Sequence, residues 1–155
     1  MDGPQRESGS LFWFLDEEFL VGALASLGTI TIQALVTVLA IRIAHISARH
    51  LSPRRRIMTL IIVMGASGTL LTLAHFLEVA VWAFFYGVLG VIQEKDAYYF
   101  AFVNFTTLGY GDMLPEHRWR VLGPITAANG MLLFGWSTAV MFAVLARALR
   151  ILRLQ

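Results

Sequence analysis

The chain has 155 residues, of which 57% are hydrophobic and only 14% charged, with a mean hydropathy of +0.69. A soluble domain carries about 25% charged residues; this chain has too little polar surface to cover a water-soluble globule, so its solvent is expected to be lipid. The same figures exclude a disordered tail, a disulfide-rich secreted domain and a fibrous repeat, and the absence of cysteine removes disulfides and thiolate metal sites.

Residues 1–18 are polar and contain Gly3, Pro4, Ser8, Gly9 and Ser10, which reads as an N-terminal tail leading into a short amphipathic stretch, Leu11 to Phe14. Its acidic start and the long apolar run behind it do not fit a cleaved secretory signal. Phe19 to Ile41 carries no charge. As a helix it measures about 34 Å, against a hydrocarbon core of ~30 Å. This first span, residues 19–44, holds Gly22, Ser26, Gly28, Thr31, Gln33 and Thr37, a mixture suited to close packing on a neighbouring helix. A basic loop, residues 45–56, follows. Ile57 to Ile92 is apolar except for His75 and Glu78, and Leu70 to Ala80 offers no turn residue. It is therefore expected as one span that projects beyond the bilayer or bends near Gly87 and Gly90. Trp82, Phe84, Phe85 and Tyr86 read as an interfacial aromatic belt. Residues 93–123 are too mixed for a span and too apolar for an ordinary loop. Within them Ala97 to Thr107, AYYFAFVNFTT, is expected as a re-entrant helix about three turns long. The last span, residues 124–155, starts near Pro124, a residue suited to a first helical turn.

The net charge of +2 conceals an asymmetry. The tail sets Asp2, Glu7, Asp16, Glu17 and Glu18 against Arg6 alone, whereas Arg42, Arg49, Arg54, Arg55 and Arg56 stand without an acid. Arg147, Arg150 and Arg153 close the chain. Basic loops stay in the cytoplasm, so a multi-pass protein of the cell (inner) membrane is expected, with its N-terminus outside and its C-terminus cytoplasmic. The arginines read as juxtamembrane rather than as a nucleic-acid patch, and no nucleic-acid partner is expected.

After the re-entrant helix comes Thr106-Thr107-Leu108-Gly109-Tyr110-Gly111-Asp112. Gly109 and Gly111 permit backbone angles closed to other residues, so successive carbonyls can face one way while Leu108 and Tyr110 pack behind. One such strand cannot surround an ion; four around a symmetry axis make carbonyl rings that replace a cation's hydration shell. Thr107 would add a hydroxyl ring at the inner end. Asp112 would either ring the outer mouth with negative charge or bond behind the strand.

This segment, between an aromatic-rich helix and an apolar last span, resembles the signature of the tetrameric pore-loop potassium channels, over roughly residues 57–150. The resemblance implies an all-α membrane protein with three transmembrane helices, a pore helix and a selectivity-filter loop. With one pore loop per chain, it implies assembly with three identical subunits as a C4 homotetramer in the lipid bilayer. Potassium is the permeant ion and the only metal; no cofactor is implied. Thr107, Leu108, Gly109, Tyr110 and Gly111 map onto the filter, and Asp112 onto the acid at its outer end. Trp119 falls where members often carry an aromatic. Gly130 and Gly135 look like the small residues that let the inner helix bend or pack closely. Thr138 and Phe142, one turn apart, map onto the cavity lining, although Thr138 and Ser137 can equally satisfy their hydroxyls one turn back. Asn104 stands where threonine is usual, Leu108 where valine or isoleucine is, and Tyr99 where a filter-bracing tryptophan is. These departures, with Thr106 beside them, bear on filter rigidity and inactivation rather than on the selected ion.

Arg147, Arg150 and Arg153, at three-residue spacing, follow the uncharged run that ends at Ala146 rather than lying inside it, and no other span carries such a series, which argues against a voltage sensor. Few residues follow Arg150, so no cytoplasmic ligand-binding domain is expected. His75 and Glu78 share one helical face inside a span. Either Glu78 makes a structural hydrogen bond to the pore helix or an adjacent polar group, or the two residues couple external pH to the filter, or, less economically, they form part of a metal site. His45, His50 and His117 read as solvated. A passive potassium-selective channel is the leading function; a weakly selective cation channel and a non-conducting accessory subunit are the alternatives. The sequence offers no nucleophile–base pair outside lipid and no nucleotide loop, so an enzyme is not expected.

Overall fold

The structure, a computed structural model, describes residues 17–50 and 56–152, with side chains for 17–46 and 57–150. Residues 1–16, with Asp2, Glu7 and Asp16 of the acidic tail, lie outside the described residues, as do Arg54, Arg55 and Arg153 and the side chains of Arg49, His50 and Arg56. Four helices follow one another: α1 (Glu17–His50), α2 (Arg56–Val88), α3 (Ala97–Phe105) and α4 (Leu122–Leu152). Single 3₁₀ turns, Glu94–Asp96 and His117–Trp119, precede α3 and α4. Stretches within α1, within α2 and from His117 to Arg150 are long and apolar enough to cross a membrane. Helices α1, α2 and α4 pack on one another, and the short α3 lies against α2 and α4.

Helix α1 is buried along a narrow stripe of Gly22, Ala25, Thr29, Gln33, Ala40 and Ala44, spaced three, four or seven residues apart. Small side chains on that stripe let backbones approach closely. At Gly22 a Cβ would come within 2.9 Å of Ile125 Cδ1 on α4. The other faces carry leucines open to lipid, such as Leu24 and Leu35. Glu17 and Glu18 stand in the first turn, where carboxylates oppose the positive end of the helix dipole.

Several boundaries differ from the sequence expectation. Residues 45–50, expected in the basic loop, continue α1, which at 34 residues measures about 51 Å. Helix α2 stops at Val88 rather than near residue 92. Gly90, at φ +64°, reverses the chain there, and the Gly90 and Val91 N–H groups bond back to the carbonyls of Gly87 and Tyr86. This is the double hydrogen bond of a left-handed helix cap, which favours glycine. The expected aromatic belt is also corrected: Trp82 and Tyr86 are fully buried, while Phe84 remains 64% exposed. The polar tips of both buried rings find acceptors on α4, which permits the burial. Helix α4 begins at Leu122, with Pro124 still in the first turn, where a missing N–H costs no helical bond.

Two apolar clusters result. One joins Trp82, Tyr86, Phe100, Phe105, Trp119 and Leu133 around α3; the other joins Ala40, Ala44, Val63, Leu71, Val140 and Val144 at the far end. The first cluster seats α3 and the segment that leaves it.

Candidate functional site

Helix α3 ends with the same double bond as α2. The Thr107 N–H donates to Asn104 O at 2.9 Å and the Leu108 N–H to Val103 O at 3.0 Å. This puts Thr107 at the left-handed position, with φ 60°. Where α2 uses Gly90, α3 uses a β-branched residue, for which this conformation is a genuine outlier. Gly109 and Gly111 follow at φ 55° and 73°, with Leu108 and Tyr110 at negative φ between them. Sign alternation of this kind cancels the usual side-to-side alternation of peptides along an extended chain and turns successive carbonyls to one side. From Thr107 to Asp112 the segment is exposed.

The segment is tied from both ends. The Tyr99 hydroxyl on α3 donates to Asp112 Oδ2 at 2.8 Å. That hydrogen bond, with burial and the carboxylate's charge adding to it, raises the phenol's pKa above its usual value. Asp112 is thereby joined to α3 through its side chain. Thr106 Oγ1 donates to Phe102 O, and Asn104 Nδ2 to Phe100 O, both at 2.8 Å, so each side chain closes on its own helix. Below α3 lies Gly130 of α4, where any Cβ would overlap the Phe105 carbonyl. Gly130 is therefore a close-approach position, and α4 continues through it as one helix. Gly135 meets nothing within 4 Å and is exposed. Thr138 and Phe142 share that open face, Phe142 at 71% exposure, and Thr138 also bonds Phe134 O one turn back. Trp119 is buried in the turn before α4, beneath the Arg118 guanidinium.

Behind α3 the three long helices are joined by buried polar groups. Gln33 Nε2 donates to Ser137 Oγ at 2.7 Å, and Ser137 Oγ lies 3.0 Å from His75 Nε2. His75 Nδ1 in turn lies 2.7 Å from Glu78 Oε2. Glu78 is fully buried and bonds the histidine one turn before it on α2; among the described residues no bond from its carboxylate reaches α3. The His75 ring packs against Phe134 and Phe105, with centroids 4.6 and 6.1 Å away. A second junction centres on Asn129, whose Oδ1 accepts from Trp82 Nε1 at 3.0 Å and from Thr29 Oγ1 at 2.9 Å. Sequence reasoning passed over Asn129 and gave Ser137 only local partners. The available signal was the three- and eight-residue spacing of Thr126, Asn129 and Ser137, which puts three polar residues on one face of an apolar helix.

Residues 74–147 match the family model described as an ion channel. That match runs from the middle of α2 through α3 and the Thr106–Asp112 segment to the end region of α4, just under half of the chain. Helix α1 lies outside it. No curated protein and no solved structure matched the chain. Three membrane-length apolar helices together with this match describe a multi-pass membrane protein with an ion-channel region.

Proposed function

We propose that the protein is a potassium-selective channel in which four copies surround one pore. The observation that carries this reading is the sign alternation at Thr107, Gly109 and Gly111, which gives the segment one carbonyl-bearing side. Four such strands about an axis form stacked oxygen rings able to replace the hydration shell of a dehydrated cation. In this arrangement α3 is the re-entrant pore helix. Its C-terminal end, which carries the negative pole of the helix dipole, meets the inner end of the filter. Thr107 supplies the innermost ring, and the open face of α4 with Gly135, Thr138 and Phe142 lines the cavity. The Tyr99–Asp112 bond holds the outer end of the filter to its own pore helix. The acidic N-terminal end lies outside and the arginine-rich ends lie in the cytoplasm of the inner membrane.

The test is ion flux in liposomes containing the purified chain. Under bi-ionic conditions the reversal potential is expected to follow potassium and not sodium, with block by barium. Near-equal permeabilities would assign a weakly selective cation channel, and no flux from a correctly folded oligomer would assign an accessory role.

A further inference from the structure

The strongest unassigned feature is a groove of about 560 Å³ between the far ends of α1 and α4. Its floor is apolar, formed by Ile41 and Val144 with Ala44, Ala143 and Ala146, and its rim carries His45, Arg147 and Arg150. The uncharged runs of both helices end at this level, at Ile41 before Arg42 and at Ala146 before Arg147. The groove therefore straddles the boundary between hydrocarbon and headgroups.

Two observations separate it from ordinary juxtamembrane arginines, whose side chains swing freely toward water. First, Arg147 is fixed: its Nη2 lies 3.0 Å and its Nε 3.3 Å from His45 Nδ1 on α1. A ring nitrogen that accepts carries no proton, so the contact positions the guanidinium without cancelling its charge. Second, no carboxylate balances the rim. Neither arginine pairs with an acid among the described residues, and the sequence has no Asp or Glu from 42 to 56 or from 117 onward.

We infer that this groove binds an anionic membrane phospholipid, with an acyl chain on the apolar floor and the phosphate on Arg147 and Arg150. Guanidinium groups match phosphate oxygens in a fork of parallel N–H bonds. A basic pocket between helices at the cytoplasmic level suits such headgroups, and an amphipathic occupant is what a half-apolar, half-cationic cleft at that depth accommodates. The α1 wall of the site lies outside the stretch that matches the ion-channel model, so the inference is independent of ion selectivity.

The test reconstitutes the full chain into phosphatidylcholine vesicles with and without phosphatidylglycerol, re-extracts it in detergent and weighs retained lipid by native mass spectrometry. The parent is expected to keep phosphatidylglycerol over phosphatidylcholine. Arg147→Gln and Arg150→Gln each lower that preference about fivefold. Ala143→Phe, which fills the groove and leaves its charges in place, removes the retained lipid while the helical circular dichroism stays that of the parent. Parental retention in the double arginine variant overturns the inference. So does displacement by soluble glycerol phosphate at concentrations matching the lipid, which would mark a headgroup site without a lipid floor. Dissociation of the oligomer by Ala143→Phe with lipid retention unchanged would overturn it too, because a second copy would then occupy the groove.

Discussion

At Thr107 the chain accepts a backbone conformation that glycine adopts freely, and Gly90 shows the same cap made in the unstrained way. Left-handed geometry costs a residue with a Cβ roughly 1–2 kcal/mol. Retaining threonine there makes sense if its hydroxyl faces the permeating ion, a trade of local strain for function. Thr107→Gly is therefore expected to melt no lower than the parent yet to lose potassium flux in liposomes, whereas Thr107→Ser keeps the flux. The Tyr99–Asp112 bond gives a pH prediction. The folded-state pKa of the phenol lies above its ordinary value, so its contribution is complete below about 10 and fades as pH rises through the shifted value. Filter behaviour governed by this bond should stay flat across neutral pH and change only in strongly alkaline solution. Tyr99→Phe should show the altered inactivation at every pH, which recordings from pH 6 to 11 would reveal.

Among the helices, the contacts that set α3 in place are the ones most exposed to substitution. Gly130→Ala forces a Cβ into the Phe105 carbonyl, and overpacking of that kind costs about 1–3 kcal/mol. Gly65→Ala, at a helical position with nothing within 4 Å, is the matched control and should melt at or above the parent. Removing Asn129 strands a buried donor. Thr29 can still bond Ser26 O, whereas the buried Trp82 Nε1 loses the Asn129 Oδ1 to which it donates. Asn129→Ala is expected to cost about 1–3 kcal/mol, and Trp82→Phe in the same chain should recover part of it, as a double-mutant thermal cycle would show. These same residues mark how far the sequence could be read. Uncharged runs bounded by arginines made the three long helices legible, because lipid tolerates no other pattern. The glycine alternation made the filter-like segment legible, because its geometry is local. Partners across helices were not legible: Asn129, Gln33 and Ser137 each have several possible acceptors in sequence, and only the packed bundle selects one. Trp82 and Tyr86 were misplaced for the same reason, since an aromatic with a polar tip suits an interface or a core with an acceptor in it.

For the whole molecule, the exposed face of α4 and the exposed Leu108 and Tyr110 demand covering by something other than water. Light scattering in detergent is expected to give a protein mass four times the 17.3 kDa of one chain, and a monomer that still conducts would contradict the four-strand pore. Helix α1 matters at this scale because it grips α4 along its full length. Glu18 Oε2 accepts the Val121 N–H at 2.9 Å at one end, Gln33 holds Ser137 midway, and His45 holds Arg147 at the other. A tilt of α4 at its arginine-bearing end must therefore be transmitted to α1 as a rotation of one rigid rod. A fluorophore attached to a single engineered cysteine near Glu17, in a chain with no cysteine of its own, would register from one side of the membrane a movement that begins on the other.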